Sequence, residues 1–533
     1  MDWYPVYDPL QSFAASALVA LVPFFLMFAL LAYFQLKSYV AGASVLVVTL
    51  VLAVGVWRYP AGLAGATTAY GALFGLFPIG YIILASIFLY NLAVSHGQVD
   101  TMRQSLELIT GDRRLQGILI AFAFGALLDA TAGFLTPVSV AAAVLLALGF
   151  RPLLAAQSAL LGCALPAAVG AMGVPVVVTA KVTGFDPVAV TRAVSWQLWP
   201  LVLLVPFILA GTIGGFWRIK EVWFHAAAAG VAYGLALVGM AQLGSPYTAG
   251  LVSAIAALGA FTLACRTRSP TRVFRFAHDP PWAPAGRGTA GAFRAWFPFV
   301  LLAPLVTAWK LPATQAYLER FTATVEFSSI SGRVFRVPPV VLEPEAVDAT
   351  LRLNFGSSAG TAIVAACLIT QFYYGTSRRT LADVAHKTAR QLYPALLTMA
   401  TVFGATFVLN YSGMGVTLGL ALAGLGFYAT AAAPYVTAMG AFLTGSNTAA
   451  NAMFSGLLVA SAHRLGVPAL TAVGAGSAGA VVGKMIAPQC LAAAAAAAGV
   501  PGEEGTLLAR VAGWALLLTT VAGVGVLFLT IPR

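Results

Sequence analysis

Two charged residues lie deep in apolar sequence, Asp129 and Lys484. Asp or Lys at the centre of a membrane helix costs about 2.5–3.5 kcal/mol and marks a functional position by default. The nearest charge upstream of Asp129 is Arg114. Its carboxylate either caps the half-helix that follows through a backbone N–H or takes up and releases a proton. Lys484 either reaches an interface or pairs structurally with Asp129, or it faces an anionic substrate. It sits as far from the ends of its apolar segment as it can, which leaves reaching an interface strained.

Short hydrogen-bonding side chains gather near the same depth: Thr131 and Thr136 in one stretch, Thr444, Ser446, Asn447, Thr448 and Asn451 in another, and Gln489 beyond Pro488. Singly, each reads as a helix cap or an interhelical bond. Together they offer half-helix N-termini, whose free N–H groups suit a carboxylate, and donors for a hydroxyl.

The elements that must position these groups are membrane helices. The chain has 533 residues, 60% of them hydrophobic and 9% charged, against roughly a quarter charged in soluble proteins. Apolar runs of the length a helix needs to span the hydrocarbon core recur throughout. They lack the period-2 alternation of a membrane barrel. The expected fold is an all-α polytopic membrane protein with about 12–14 transmembrane segments. Several segments are broken at membrane depth, by Asp129–Pro137, by Asn410–Gly413, by Thr444–Thr448, and by Pro166, Pro175 and Pro488. Non-helical backbone is tolerated there only where protein buries it or it lines a cavity. Two re-entrant hairpins, near 115–149 and 434–462, and two broken helices, 153–180 and 468–498, are expected.

The net charge of +12 sits in loops, as the positive-inside rule expects. Residues 266–294 carry Arg266, Arg268, Arg272, Arg275, Arg287 and Arg294 against one Asp, and 374–390 carry Arg378, Arg379, Lys387 and Arg390 against Asp383. Both are expected to be cytoplasmic loops. The charge-balanced segment 310–354, which alternates at Val334–Val337, becomes an extracytoplasmic loop holding a short hairpin or cap. Counting back places Arg218, Lys220, Arg113, Arg114 and Lys37 inside and the N-terminus outside. The first transmembrane half is then 1–265 and the second 355–533.

Other chemistries find no pattern. Cys163, Cys265, Cys367 and Cys490 lie in apolar stretches without ligand spacing and read as small core residues. The histidines (96, 225, 278, 386, 463) are dispersed. Gly474–Gly479 fits G-x-G-x-x-G without a strand–turn–helix unit, so it reads as a small-residue packing face. A phosphate loop ending at Lys484 would need Gly at 478 and Ser or Thr at 485, where Ala and Met stand. No cofactor, metal or nucleic acid is expected, and no enzymatic activity.

The breaks repeat. Gly125–Ala–Leu–Leu–Asp129 resembles Gly440–Ala–Phe–Leu–Thr444, and Val169–Gly–Ala–Met–Gly–Val–Pro175 resembles Val482–Gly–Lys–Met–Ile–Ala–Pro488. The leading glycines are 45 residues apart in one copy and 43 in the other. By the loop count the copies enter the membrane from opposite sides. Inverted repeats with binding at midplane suit a secondary transporter.

The chain resembles the lactate permease family of bacterial secondary transporters, nearly end to end. The resemblance rests on Trp3 with Asp8–Pro–Leu10, Tyr70–Gly–Ala–Leu–Phe–Gly–Leu76, Gly133–Phe–Leu–Thr–Pro137, Asn410–Tyr–Ser–Gly–Met414, Leu443–Thr–Gly–Ser–Asn–Thr448 with Asn451, and Val481–Val–Gly–Lys–Met485 with Pro488–Gln489. It implies proton symport of lactate or a related 2-hydroxymonocarboxylate such as glycolate across the bacterial inner membrane. Lys484, Ser446, Asn447, Thr448, Thr136, Gly133, Asn451 and Gln489 would then hold the substrate, and Asp129 the coupling proton. Two departures bear on the substrate: Asp129 stands where the family usually has Glu, and Leu135 replaces the second Gly of its Gly–Phe–Gly–Thr–Pro. A sodium-coupled or exchange-type carboxylate transporter is the alternative, and an anion channel a more distant one.

Overall fold

The computed structural model describes residues 2–530 apart from 31–33, 35, 37, 100, 102–104, 106–108, 132, 134, 271, 278–290, 310–311, 339–343, 427 and 501–502. Lys37, His278 and Arg287 therefore lie outside the described residues. The chain is an all-α polytopic membrane protein. Among the described residues, eight helices of 18 residues or more are apolar enough to cross a bilayer, and eight shorter apolar helices run to 10–17 residues.

Local chemistry sets the breaks. A first helical hairpin descends through Arg113–Thr131 and returns through Thr136–Ala147. Between them Gly133 sits at φ +58°, and Pro137 opens the returning helix, where a missing N–H costs nothing. Helix Pro152–Ala164 then passes through a 3-10 turn, Leu165–Val169, into Gly170–Thr183. At this junction Ala171, Met172 and Gly173 are all left-handed, with φ of +44°, +57° and +75°. Such backbone is costly for Ala and Met and is held here by burial on all sides.

The second hairpin is Tyr428–Thr444 and Asn447–Leu465. Gly445 turns the chain at φ +66°, and the Ser446 hydroxyl caps the returning helix by accepting from Ala449 N at 3.2 Å. Helix Ala469–Ile486 follows and stops at Ala487, held extended at φ −63°, ψ 136°. Pro488 pushes its predecessor out of the helical region and then starts the next helix, Pro488–Ala497.

Glycine sets how closely the second copy packs. Gly479 and Gly483 lie against helix Tyr428–Thr444, where an added Cβ would overlap the carbonyl oxygens of Pro434 and Ala438. Gly476 meets Leu458, and Gly474 the backbone of Ala193. Gly474–Gly479 is thus a packing surface on a helix. Cys163, Cys367 and Cys490 are buried, and Cys163 donates to Ala121 O at 3.4 Å.

One difference from the sequence reading concerns 374–390. This basic stretch is mostly helical: Arg378–Ser412 is a single helix of 35 residues, about 52 Å at 1.5 Å per residue. Ser377 caps it by accepting from Thr380 N at 3.1 Å, and Arg and Lys are good helix formers. It packs against Ser38–Gly55, Ala61–Phe74 and Tyr81–Ser95. Asn91 fixes the last contact, donating to Thr388 Oγ1 at 2.9 Å and to Gln391 Oε1 at 3.1 Å.

Two polar clusters anchor the ends of the bundle. Arg114, fully buried, pairs with Asp112 at 2.8 Å and Glu221 at 2.7 Å and donates to Arg272 O at 2.9 Å. The base of the first hairpin, the turn Phe216–Glu221 and the basic loop are thereby joined. At the other cluster the N-terminal stretch lies on segment 310–354. Trp3 N donates to Arg333 O at 2.7 Å and Trp3 Nε1 to Tyr411 O at 3.0 Å. Tyr7, whose phenol burial pushes up to about 12, donates to Val337 O at 3.1 Å. The segment pairs Ala323–Glu326 with Thr350–Leu353 and Phe335–Arg336 with Glu345–Ala346, both antiparallel.

The glycine packing gives a direct expectation. Gly479→Ala overpacks the contact with Pro434 and should destabilise by about 1–3 kcal/mol, lowering the melting temperature in detergent. Gly259→Ala, which meets open space, should melt at or above the parent temperature. Equal melting of both variants would contradict this contact.

Candidate substrate and proton site

The two hairpin tips and the two helix breaks converge. Gly133, at the first tip, lies against Ala171 in the first break, where an added Cβ would stand 2.8 Å from the Ala171 Cβ. Gly445, at the second tip, lies against Gln489 just past the second break, and its Cβ would stand 3.0 Å from Gln489 Oε1. Each tip thus meets the break of its own half. Two further contacts cross between halves. Lys484 Nζ donates to Asp129 Oδ1 at 3.4 Å, and Asn447 Nδ2 donates to Ala167 O at 2.6 Å.

Asp129 and Lys484 are 1% and 6% exposed. The pair therefore sits in the protein interior, each charge compensating the other. Gly170 makes room for it, since a Cβ there would overlap the Asp129 carboxylate. The left-handed turn Ala171–Gly173 follows Gly170 directly. Its strain is thus stored beside the buried Asp129–Lys484 pair.

A cavity of about 720 Å3 opens onto the pair, within the roughly 300–1,000 Å3 usual for small-molecule sites. Asp129, Lys484, Gly133, Thr136, Ser446, Asn447, Thr448 and Gln489 all line it, as does Thr444. Asn451 does not line it: its amide donates to Ser477 Oγ at 3.1 Å, tying the second hairpin to helix Ala469–Ile486. Thr131 does not either, since its hydroxyl turns back to Leu127 O at 2.9 Å. The break at Asn410–Gly413 faces elsewhere. Asn410 and Tyr411 line a small separate cavity beside the N-terminal residues Pro5 and Tyr7.

Sequence reasoning missed one wall. Helix Arg378–Ser412 contributes Gln391, Leu397, Met399, Val402 and Phe403 to the cavity. A search for breaks cannot find this helix, because it runs unbroken past the site. Gln391, a polar residue entering an apolar run, is its one local signal.

The arrangement can hold a small anion at the ammonium, offer N–H and hydroxyl donors around it, and place a carboxyl beside both. The sequence profile of the L-lactate permease family matches residues 16–531. The glycolate permease GlcA of Escherichia coli K12 is 35% identical over 98% of this chain and 97% of its own length. The L-lactate permease of the same strain is 35% identical with the same coverage. That of Bacillus subtilis 168 is 36% identical over 95% of this chain and 94% of its own. The solved YdaH transporter of Alcanivorax borkumensis aligns with 88% of each chain at a TM-score of 0.44 and 18% identity. The profile match and the identity held over nearly the whole length place this multi-pass membrane protein in the L-lactate permease family.

Proposed function

We propose that the protein takes up lactate or a related 2-hydroxymonocarboxylate such as glycolate, one molecule with one proton, across the bacterial inner membrane. The observation that carries this reading is the Lys484–Asp129 contact at 3.4 Å on the wall of the cavity. A buried charge needs a partner, and removing the partner of a buried pair costs about 3–5 kcal/mol. When the site is empty, Asp129 neutralises Lys484. A substrate carboxylate that reaches Lys484 takes over that role and leaves Asp129 as a second anion in the same pocket. Protonating Asp129 removes the conflict. The empty site, with ammonium and carboxylate, and the loaded site, with ammonium, substrate carboxylate and neutral acid, then carry the same net charge of zero. Substrate without a proton, or a proton without substrate, leaves an unpaired charge at membrane depth.

In this reading the half-helix N-termini at Thr136 and Asn447 support the carboxylate, and Thr448 or Asn447 bonds the 2-hydroxyl. The two halves, with hairpins near 115–149 and 434–462, are inverted repeats. A re-entrant first hairpin is supported by its returning arm, Thr136–Ala147, of 12 residues, about 18 Å, short of the ~30 Å hydrocarbon core. The N-terminus and segment 310–354 lie outside the cell, and the basic loop 266–294 inside. Alternating access then moves one side of the cavity against the other.

In proteoliposomes, labelled lactate should accumulate under an inward proton gradient, unchanged when choline replaces sodium. Accumulation that requires sodium would favour the sodium-coupled alternative. Imposing a membrane potential at equal pH should drive no accumulation, because one anion and one proton move together. Asp129→Asn should abolish gradient-driven accumulation while lactate–lactate exchange continues; surviving accumulation would place the proton elsewhere. Lys484→Met should abolish uptake and, by leaving Asp129 unpaired, lower the melting temperature. Adding Asp129→Asn to it should recover the stability without recovering uptake. A double variant that stays unstable would contradict the pairing.

A further inference from the structure

Most polar groups of the cavity come from the hairpins and breaks, while most of its remaining wall is apolar. Leu397, Met399, Val402 and Phe403 of helix Arg378–Ser412 line it, with Leu135 at the first tip and Val174 beyond the first break. Of the polar residues that this helix brings to the cavity, Gln391 Oε1 accepts from Asn91 and the Thr398 hydroxyl donates to Pro394 O at 2.8 Å, while Tyr393 adds an aromatic ring with a phenol at its edge. One part of the cavity thus suits a carboxylate and a hydroxyl, and the other suits hydrocarbon. The cavity, about 720 Å3 with its open mouth included, leaves room along this wall beyond a two- or three-carbon acid. Glycolate offers no substituent to the apolar wall, and lactate only a methyl.

We propose that the site also transports 2-hydroxy acids whose C2 substituent is larger than methyl, ethyl to branched alkyl, with Met399, Val402 and Phe403 of the long helix setting the upper size. This rests on the binding mode proposed above for the carboxylate and hydroxyl. Each further methylene placed on the apolar wall tightens binding by up to about fourfold, until the wall is reached.

The test is competition and counterflow in proteoliposomes with labelled L-lactate. Unlabelled 2-hydroxybutanoate and 2-hydroxy-3-methylbutanoate should inhibit uptake with constants equal to or below that of unlabelled lactate. Preloaded inside, either should stimulate entry of label, which a mere blocker does not do. Val402→Trp should raise the inhibition constants of the larger acids relative to that of lactate by about tenfold or more. No uptake of lactate at all would overturn the functional reading itself. Lactate uptake that the larger acids neither inhibit nor exchange with would overturn this inference alone. So would inhibition without counterflow, or a Val402→Trp variant with unchanged ratios.

Discussion

A charge in the interior of a membrane protein must have a partner, and in this chain that constraint falls on Lys484. Its ammonium reaches Asp129 of the other half at 3.4 Å, with both groups buried. Much of the surrounding structure makes that meeting possible. Gly170 clears space for the carboxylate, and the left-handed residues Ala171–Gly173 follow it directly. Gly479 and Gly483 let the helix bearing Lys484 lie close on the second hairpin. Asn447, bonded to Ala167 O, ties that hairpin's tip to the first break. The pair is therefore also a join between the halves, and whatever replaces it must satisfy the same electrostatics.

That requirement separates the site into two kinds of surface. The hairpin tips and breaks supply charge, backbone N–H groups and hydroxyls. The long helix Arg378–Ser412 supplies mostly hydrocarbon. It is held on the side of helix Tyr81–Ser95 by Asn91. The ends of the bundle are fastened separately, by the Arg114 cluster at the base of the first hairpin and by Trp3 and Tyr7 on segment 310–354. Such fastening leaves the middle of the bundle, where both hairpins end, as the place where the chain is least regular.

Much of this was legible in the sequence because the membrane penalises irregular backbone and unpaired charge. Pro175 and Pro488 announce broken helices, Gly133 and Gly445 announce tips, and an Asp and a Lys in apolar runs announce a site. The recurrence of Val–Gly–x–Met–x–x–Pro put Lys484 in the broken helix of the second copy and left Asp129 in the hairpin of the first, and their pairing was one of the readings open to Lys484. What the sequence concealed followed from the same logic. Arg378–Arg390 reads as a loop by charge, yet it is the exposed start of a helix that reaches the cavity. Its wall residues are ordinary apolar side chains whose role depends only on which face they turn. Asn451 shares the motif of its neighbours but lies one helical turn beyond Asn447, where it packs against Ser477 instead of facing the cavity.

The central claim is that substrate and proton compete and cooperate through one ion pair. Its most direct test is proton uptake on binding, measured with purified protein in weakly buffered detergent solution as lactate is added near neutral pH. The account predicts about one proton taken from solution per lactate bound by the parent protein, and none by Asp129→Asn. Lactate binding without proton uptake in the parent, or unchanged proton uptake in Asp129→Asn, would contradict it.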